Sequence, residues 1–245
     1  MQRFLVLALI ALVLLLLAGT ARRYQETAVQ RSAAAARAPV ADSGLRRTAD
    51  SARRAARTLL ARDAGQTYLD SMLFSTDSLV RRWPDRRNTP FRVAILEGGS
   101  TDYAPRMAGF VRQAASVWEG TGLGFWYTFT GDSAGADIVV RWRDSFRNGN
   151  QAGVTDLRWS NAGPVVRAYI SLATRNAGDS LFTDEALLGA AIHELGHAMG
   201  LPHSADSADV MFPVTRAVVL TQRDLATARL LYALPPGSLR PPGPR

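Results

Sequence analysis

The chain has no cysteine among its 245 residues, which excludes disulfides, thiolate metal ligation and a cysteine nucleophile. Lysine is absent as well, so all 29 basic residues are arginine; composition bias explains this before function does. Histidine is scarce in a more telling way: there are three, at 193, 197 and 203, all within one stretch of twelve residues. Only one long apolar run occurs, Phe4 to Ala18. What is present in ordinary amount is hydrophobic residue, 47%, enough for a chain of this length to bury a real core.

The net charge of +8 is unevenly placed. Residues 22–87 hold 14 arginines against 7 acids, whereas residues 88–234 hold 12 against 14. The basic character therefore belongs to the N-terminal third. A basic arm of this kind can touch membrane headgroups or nucleic acid, or it can be a solvated Ala/Arg-rich spacer. No nucleic-acid-binding motif accompanies the charge, so no nucleic acid partner is expected.

Arg3 and the amino terminus precede the apolar run, and Gly19 and Ala21 follow with the spacing of a signal-peptidase site. The 15 apolar residues are short for a bilayer span, which needs about 20. Residues 1–21 thus read as an export signal, or as an N-terminal anchor through residues 4–18, since Arg22 and Arg23 oppose translocation. The protein is expected outside the cytoplasm, extracellular or periplasmic, or tethered to the membrane.

Residues 22–89 read as a helical spacer or pro-segment. Apolar positions recur at helical spacing over 44–61, and again from Gln66 to Trp83 through Leu69, Met72, Leu73, Leu79 and Val80. The pattern leaves open whether these helices pack on the body or on each other. Pro84 and the RRNTP stretch mark a boundary. The body, 90–234, begins with the strand-like FRVAIL (91–96) and a helix with Met107, Phe110, Val111, Ala114, Ala115 and Trp118 on one face. Strand-like FWYTFT, ADIVVRW, GVTDLRW and VVRAYISL follow. Strand, helix, several strands and two final helices describe an α+β fold with a mixed sheet. The Pro-rich end, 235–245, is expected to be disordered.

The three histidines lie in HELGHAMGLPHS, residues 193–204. A helix over about 184–199 has Thr183 as N-cap, Asp184 and Glu185 in its first turn, and Gly200 as the residue that ends it. Residues four apart share a helix face, so His193 and His197 can reach one ion. Glu194 is placed to hold a water at that ion. Gly200 lets the chain reverse through Leu201 and Pro202, so that His203 returns as a third nitrogen ligand. Three imidazoles leave a fourth position of zinc open, as catalytic sites require.

HELGHAMGLPH matches the pattern HExxHxxGxxH of the metzincin peptidases. Ser204 after the third histidine, the DVMFP turn at 209–213, ADIVVRW and the terminal TQRDLATARLLY resemble the matrixins, the matrix-metalloproteinase branch, over roughly residues 90–233. The resemblance implies a zincin-like twisted mixed sheet with an active-site helix and a closing C-terminal helix. It implies one catalytic zinc on His193, His197 and His203, and Glu194 as general base for peptide bond hydrolysis by a zinc-activated water. Gly200 is then the turn glycine and Met211 a buried support beneath the metal. A protein or peptide substrate should add as an antiparallel strand to an edge strand. VVRAYISL, with Ala168, Tyr169 and Ile170, is the candidate, an interior position for it being the alternative. Phe212, Pro213 and Val214 should line the pocket beyond the cut bond.

Several departures qualify the resemblance. Without cysteine, any latency must be steric or use a carboxylate such as Asp77 or Asp85. With no further histidines, a second, structural zinc is not expected. Calcium is compatible with Asp132, Asp137, Asp144, Asp156 and Asp179 near loops, but no ligand loop supports it. The alternatives to a peptidase are a zinc-bearing binding module without activity and a basic membrane- or nucleic-acid-binding protein.

Overall fold

The computed structural model describes residues 41–69, 79–86, 89–147, 151–161, 163–214 and 217–238, with side chains from Asp50 onward and excluding Ser238. By its contacts the chain divides into a unit over Met1–Asp50 and a unit over Ser51–Arg245. Helix α1 (Ala41–Arg62) crosses that division. The second unit contains β1 (Leu79–Val80), β2 (Phe91–Leu96), α2 (Arg106–Glu119), β3 (Tyr127–Thr130), β4 (Ile138–Arg143), β5 (Gly153–Trp159), β6 (Val165–Ala173), α3 (Asp184–Ala198), α4 (Gln222–Ala233) and β7 (Gly237–Ser238).

The α+β class expected from the sequence is the one observed. Five strands form one sheet in the order β3-β2-β4-β6-β5. The pairs β2/β3, β2/β4 and β4/β6 are parallel, and only β5 runs antiparallel to its neighbour. Alternation along β4 explains its register. Ile138, Val140 and Trp142 enter the main core, while Val139 joins a small cluster with Ala94, Ala136 and Tyr169 on the opposite face. Helix α2 covers the main-core face with Met107, Val111, Ala114, Ala115 and Trp118, the stripe its sequence spacing marked. Helix α3 packs against α2, β5 and β6. It buries residues all round, including Leu187, Ile192 and Leu195, as befits a helix inside the molecule.

The strand VVRAYISL is interior. β6 lies between β4 and β5, with Ala168 opposite both Ile138 and Leu157 and Ile170 opposite both Val140 and Thr155. Ala168, Tyr169 and Ile170 therefore have both backbone edges paired and cannot accept an added strand. The edge strand beside α3 is β5. The sequence singled out β6 because it directly precedes the histidine-bearing helix, but adjacency along the chain does not fix the order of strands in the sheet, and β5 pairs outside it.

The N-terminal third also departs from expectation. A helix over Gln66–Trp83 is not formed in the described parts: 66–69 is a turn, Leu79–Val80 is a strand, and 81–86 is irregular. Pro84 disfavours helical geometry at Trp83, and tertiary partners take over the backbone. The Arg82 carbonyl accepts from Val165 N–H at 2.9 Å, and the buried Trp83 indole donates to the Ala198 carbonyl at 2.7 Å. Ala56 and Leu60 of α1 are buried in the main core too. The contact division thus falls at residue 50, and of the described N-terminal residues Ala56, Leu60, Tyr68, Leu69, Val80 and Trp83 belong to the main core. Nor is residue 235 the start of a featureless tail, since Gly237 pairs with Val80. Gly163 permits that approach, because a Cβ there would stand 2.5 Å from Gly237 N. The apolar run 4–18 and residues 239–245 lie outside the described residues; among those described, no helix is long and apolar enough to cross a membrane.

Candidate metal centre

Helix α3 presents the three-histidine cluster. Thr183 caps it, accepting from Ala186 N–H at 3.2 Å, and Asp184 and Glu185 occupy the first turn. At the other end Gly200 N–H donates to the His197 carbonyl at 2.9 Å and Leu201 N–H to the Gly196 carbonyl at 3.1 Å, a Schellman motif. That motif needs a left-handed residue, and Gly200 has φ +100°. A side chain at 200 would also overlap the Arg81 carbonyl, so this turn is closed off to any larger residue.

His193, His197 and His203 come together as the spacing required. Their candidate ligand atoms all lie within 4.8 Å of one another, and Nε2 of His197 and His203 are 3.1 Å apart. His193 Nδ1 is 2.7 Å from the Val210 carbonyl and His197 Nδ1 is 2.8 Å from that of Leu201. Each Nδ1 therefore carries the hydrogen and donates it, leaving Nε2 as the lone-pair nitrogen of the cluster. Burial pushes all three imidazoles below their ordinary pKa, His197 to about 3 with help from neighbouring His193. They are neutral at pH 7, the form that binds metal. Convergent, neutral and preoriented nitrogens fit a zinc ion.

Glu194 is buried beside this cluster. The Thr155 hydroxyl donates to Glu194 Oε2 at 2.6 Å and also lies 3.0 Å from its carbonyl oxygen. Burial pushes the Glu194 carboxyl up to about 7, against the opposing effect of the Thr155 bond. Gly153, the first residue of β5, makes the space: a Cβ there would stand 2.5 Å from Glu194 Oε1 and 2.7 Å from Cδ. Neither Gly153 nor Thr155 is recognisable in the sequence, because their roles arise only from the approach of β5 to α3.

Met211 is fully buried. It packs against Gly196 of α3, where a Cβ would invade Met211 Sδ and stand 2.9 Å from Trp118 Cζ2. Gly196 is a third residue not marked in the sequence, its position between the two helical histidines being the available signal. The turn is held from α4: Asp224, fully buried, accepts from Val210 N–H at 3.1 Å, from Thr221 N–H at 2.9 Å and from the Tyr68 hydroxyl at 2.9 Å.

A cleft of about 1280 Å³ runs over the site. Its walls include Gly153, Val154, Thr155 and Leu157 of β5, Ala186 and Ala190 of α3, and the histidines with Glu194. Pro213 and Val214 line the cleft, whereas Phe212 does not, and neither do Ala168, Tyr169 or Ile170. Asp85 is ion-paired with Arg82 at 3.1 Å and does not line the cleft; Asp77 lies outside the described residues. Of the loop aspartates, Asp144 accepts from Ser100 and Thr101, and Asp137 pairs with Arg86 at 2.9 Å. Among the described residues the histidine trio is the one group of three or more such side chains arranged to hold a metal.

Comparison with known proteins agrees with this arrangement. The family model described as Matrixin matches residues 94–233. Interstitial collagenase of Sus scrofa is 37% identical over 67 residues, covering 26% of this chain and 14% of the collagenase. The chain thus matches only a small part of that relative's length.

Proposed function

The chain belongs to the matrixin family, and from that premise we propose that it is a zinc-dependent endopeptidase acting on extended protein or peptide segments. The observation that carries this reading is the convergence of three neutral imidazoles with one buried carboxylate at the floor of a cleft. His193, His197 and His203 would hold the ion. When bound, zinc supplies Lewis acidity, polarising a peptide carbonyl and acidifying a water beside Glu194.

The chain's own residues do the rest. Glu194 takes a proton on its free Oε1 side while Thr155 holds Oε2, and then returns that proton to the departing amine nitrogen. Among the described residues strand β5 is an edge strand and borders the cleft, so a substrate segment would add there as an antiparallel strand, its backbone held by Val154 to Leu157. Pro213 and Val214, which line the cleft together with Ala186 and Ala190, would wall the pocket beyond the cut bond. The first 21 residues would direct the protein out of the cytoplasm or tether it to the membrane.

The test is metal analysis of the purified protein together with cleavage of a generic unfolded substrate, with a chelator control. Wild type should bind one zinc and cleave; Glu194→Gln should keep the zinc and lose about 10²-fold or more in rate. Zinc without cleavage by wild type would leave the inactive binding module, and full activity of Glu194→Gln would remove the assigned base.

A further inference from the structure

The three histidines are not held alike. His193 and His197 sit on a helix and anchor their Nδ1 atoms on carbonyls, but His203 is exposed, lies in an irregular loop, and its Nδ1 has no hydrogen bond among the described residues. What fixes its position is the next residue. Ser204 N–H donates to the Met211 carbonyl at 2.8 Å, and the Ser204 hydroxyl donates to the Asp209 carboxylate while accepting from Asp206 N–H at 3.1 Å.

Asp209 is 2% exposed and is itself surrounded by donors from α4. It accepts from the Thr221 hydroxyl at 2.7 Å and from Arg223 Nε at 2.8 Å, and Arg223 Nη2 lies 2.6 Å from it. Arg223 Nη2 also reaches Asp206 at 2.8 Å. One guanidinium on the first turn of α4 therefore clamps the loop at two points, 206 and 209, and one buried carboxylate passes that constraint to the residue beside His203. The guanidinium is partly exposed while the Asp209 carboxylate is buried, so the clamp ties a surface loop to a fixed interior acceptor.

We propose that Asp209 and Arg223 are positioning residues for the third metal ligand, setting how tightly the centre holds zinc without touching it. The proposal rests on the three-histidine zinc centre described above. A preoriented His203 spares the ion the ordering of an exposed loop, so loosening the clamp weakens binding while leaving the donor set intact. Partners of this outer kind typically change metal affinity by about 10- to 100-fold.

The experiment measures zinc affinity of the full-length protein by competition with a chromogenic chelator, well below the unfolding temperature. Asp209→Asn and Arg223→Gln should each weaken zinc about 10- to 100-fold. In a His203→Ala background the same changes should cost less than about threefold, because the ligand they position is gone. A merely structural role would lower Tm and act equally in both backgrounds. Affinity within about twofold of wild type, or an undiminished loss in the His203→Ala background, overturns the proposal. Should Asp209→Asn not fold, Arg223→Gln at its half-exposed site answers the same question. Wild-type protein that takes up no zinc would instead sink the three-histidine centre, and this inference with it.

Discussion

Replacing Gly153 by alanine should damage catalysis through a single methyl group. The glycine has an ordinary backbone conformation, so alanine brings no φ strain, and the effect comes from the Cβ alone. That atom would stand 2.7 Å from Glu194 Cδ and 2.5 Å from Oε1, where carbon contacts normally begin at about 3.5 Å. The buried carboxyl must then move by roughly 1 Å, or β5 must retreat and break the Thr155 bond; a displacement of that size at a reacting group costs about 10²-fold in rate. Stability should change less, since overpacking of about 1–3 kcal/mol is partly offset by about 0.5–1 kcal/mol gained on removing a strand glycine. Zinc content should be unchanged, as no ligand is touched. The assay is kcat on a quenched fluorescent peptide, with zinc content and Tm measured on the same sample. A kcat within about threefold of wild type, with zinc retained, would show that Glu194 does not depend on this gap and would refute the reasoning.

Two further outcomes follow from the same packing. Gly196→Ala should destabilise the protein and loosen zinc, because the helix-propensity gain of about 1 kcal/mol is outweighed by overlap with the fully buried Met211 and Trp118; a rise in Tm with unchanged zinc affinity would contradict this. Burial alone would raise the Asp209 carboxyl, yet hydrogen bonds from Ser204, Arg223 and Thr221 together hold it below its ordinary value. A depressed folded pKa gives stability that is fully present above about pH 4 and lost as the pH falls through the folded value. Asp209→Asn should accordingly flatten the acid limb of a Tm-against-pH curve, and parallel curves for the two proteins would count against the clamp.

Much of this molecule was legible in its residue order because the signals were local. Thr183, the four-residue step from His193 to His197, and Gly200 all act within one helix and its end, where spacing alone dictates geometry. The FRVAIL and GVTDLRW strands and the stripe of α2 were legible for the same reason, burial imposing a period on neighbours in sequence. The misreadings were of another kind. Leu79, Val80 and Trp83 fit a helical period, yet Val80 pairs with Gly237, the Arg82 carbonyl accepts from Val165 and the Trp83 indole donates to Ala198, all residues more than 80 positions away. The placement of VVRAYISL at the edge failed because pairing partners, unlike side-chain alternation, leave no mark in the strand itself.

The sequence by itself determined the donor set, its spacing and the turn that brings the third histidine back, since these depend on helix periodicity and on the one residue type that tolerates a left-handed turn. Only the tertiary structure decided which strand borders the cleft, that Leu60, Leu69, Val80 and Trp83 join the main core, and that Gly153, Thr155 and Gly196 shape the surroundings of Glu194 and Met211. Those facts concern which surfaces meet, and close approach between distant segments is set by the packing of the whole chain and not by the preferences of any stretch of it.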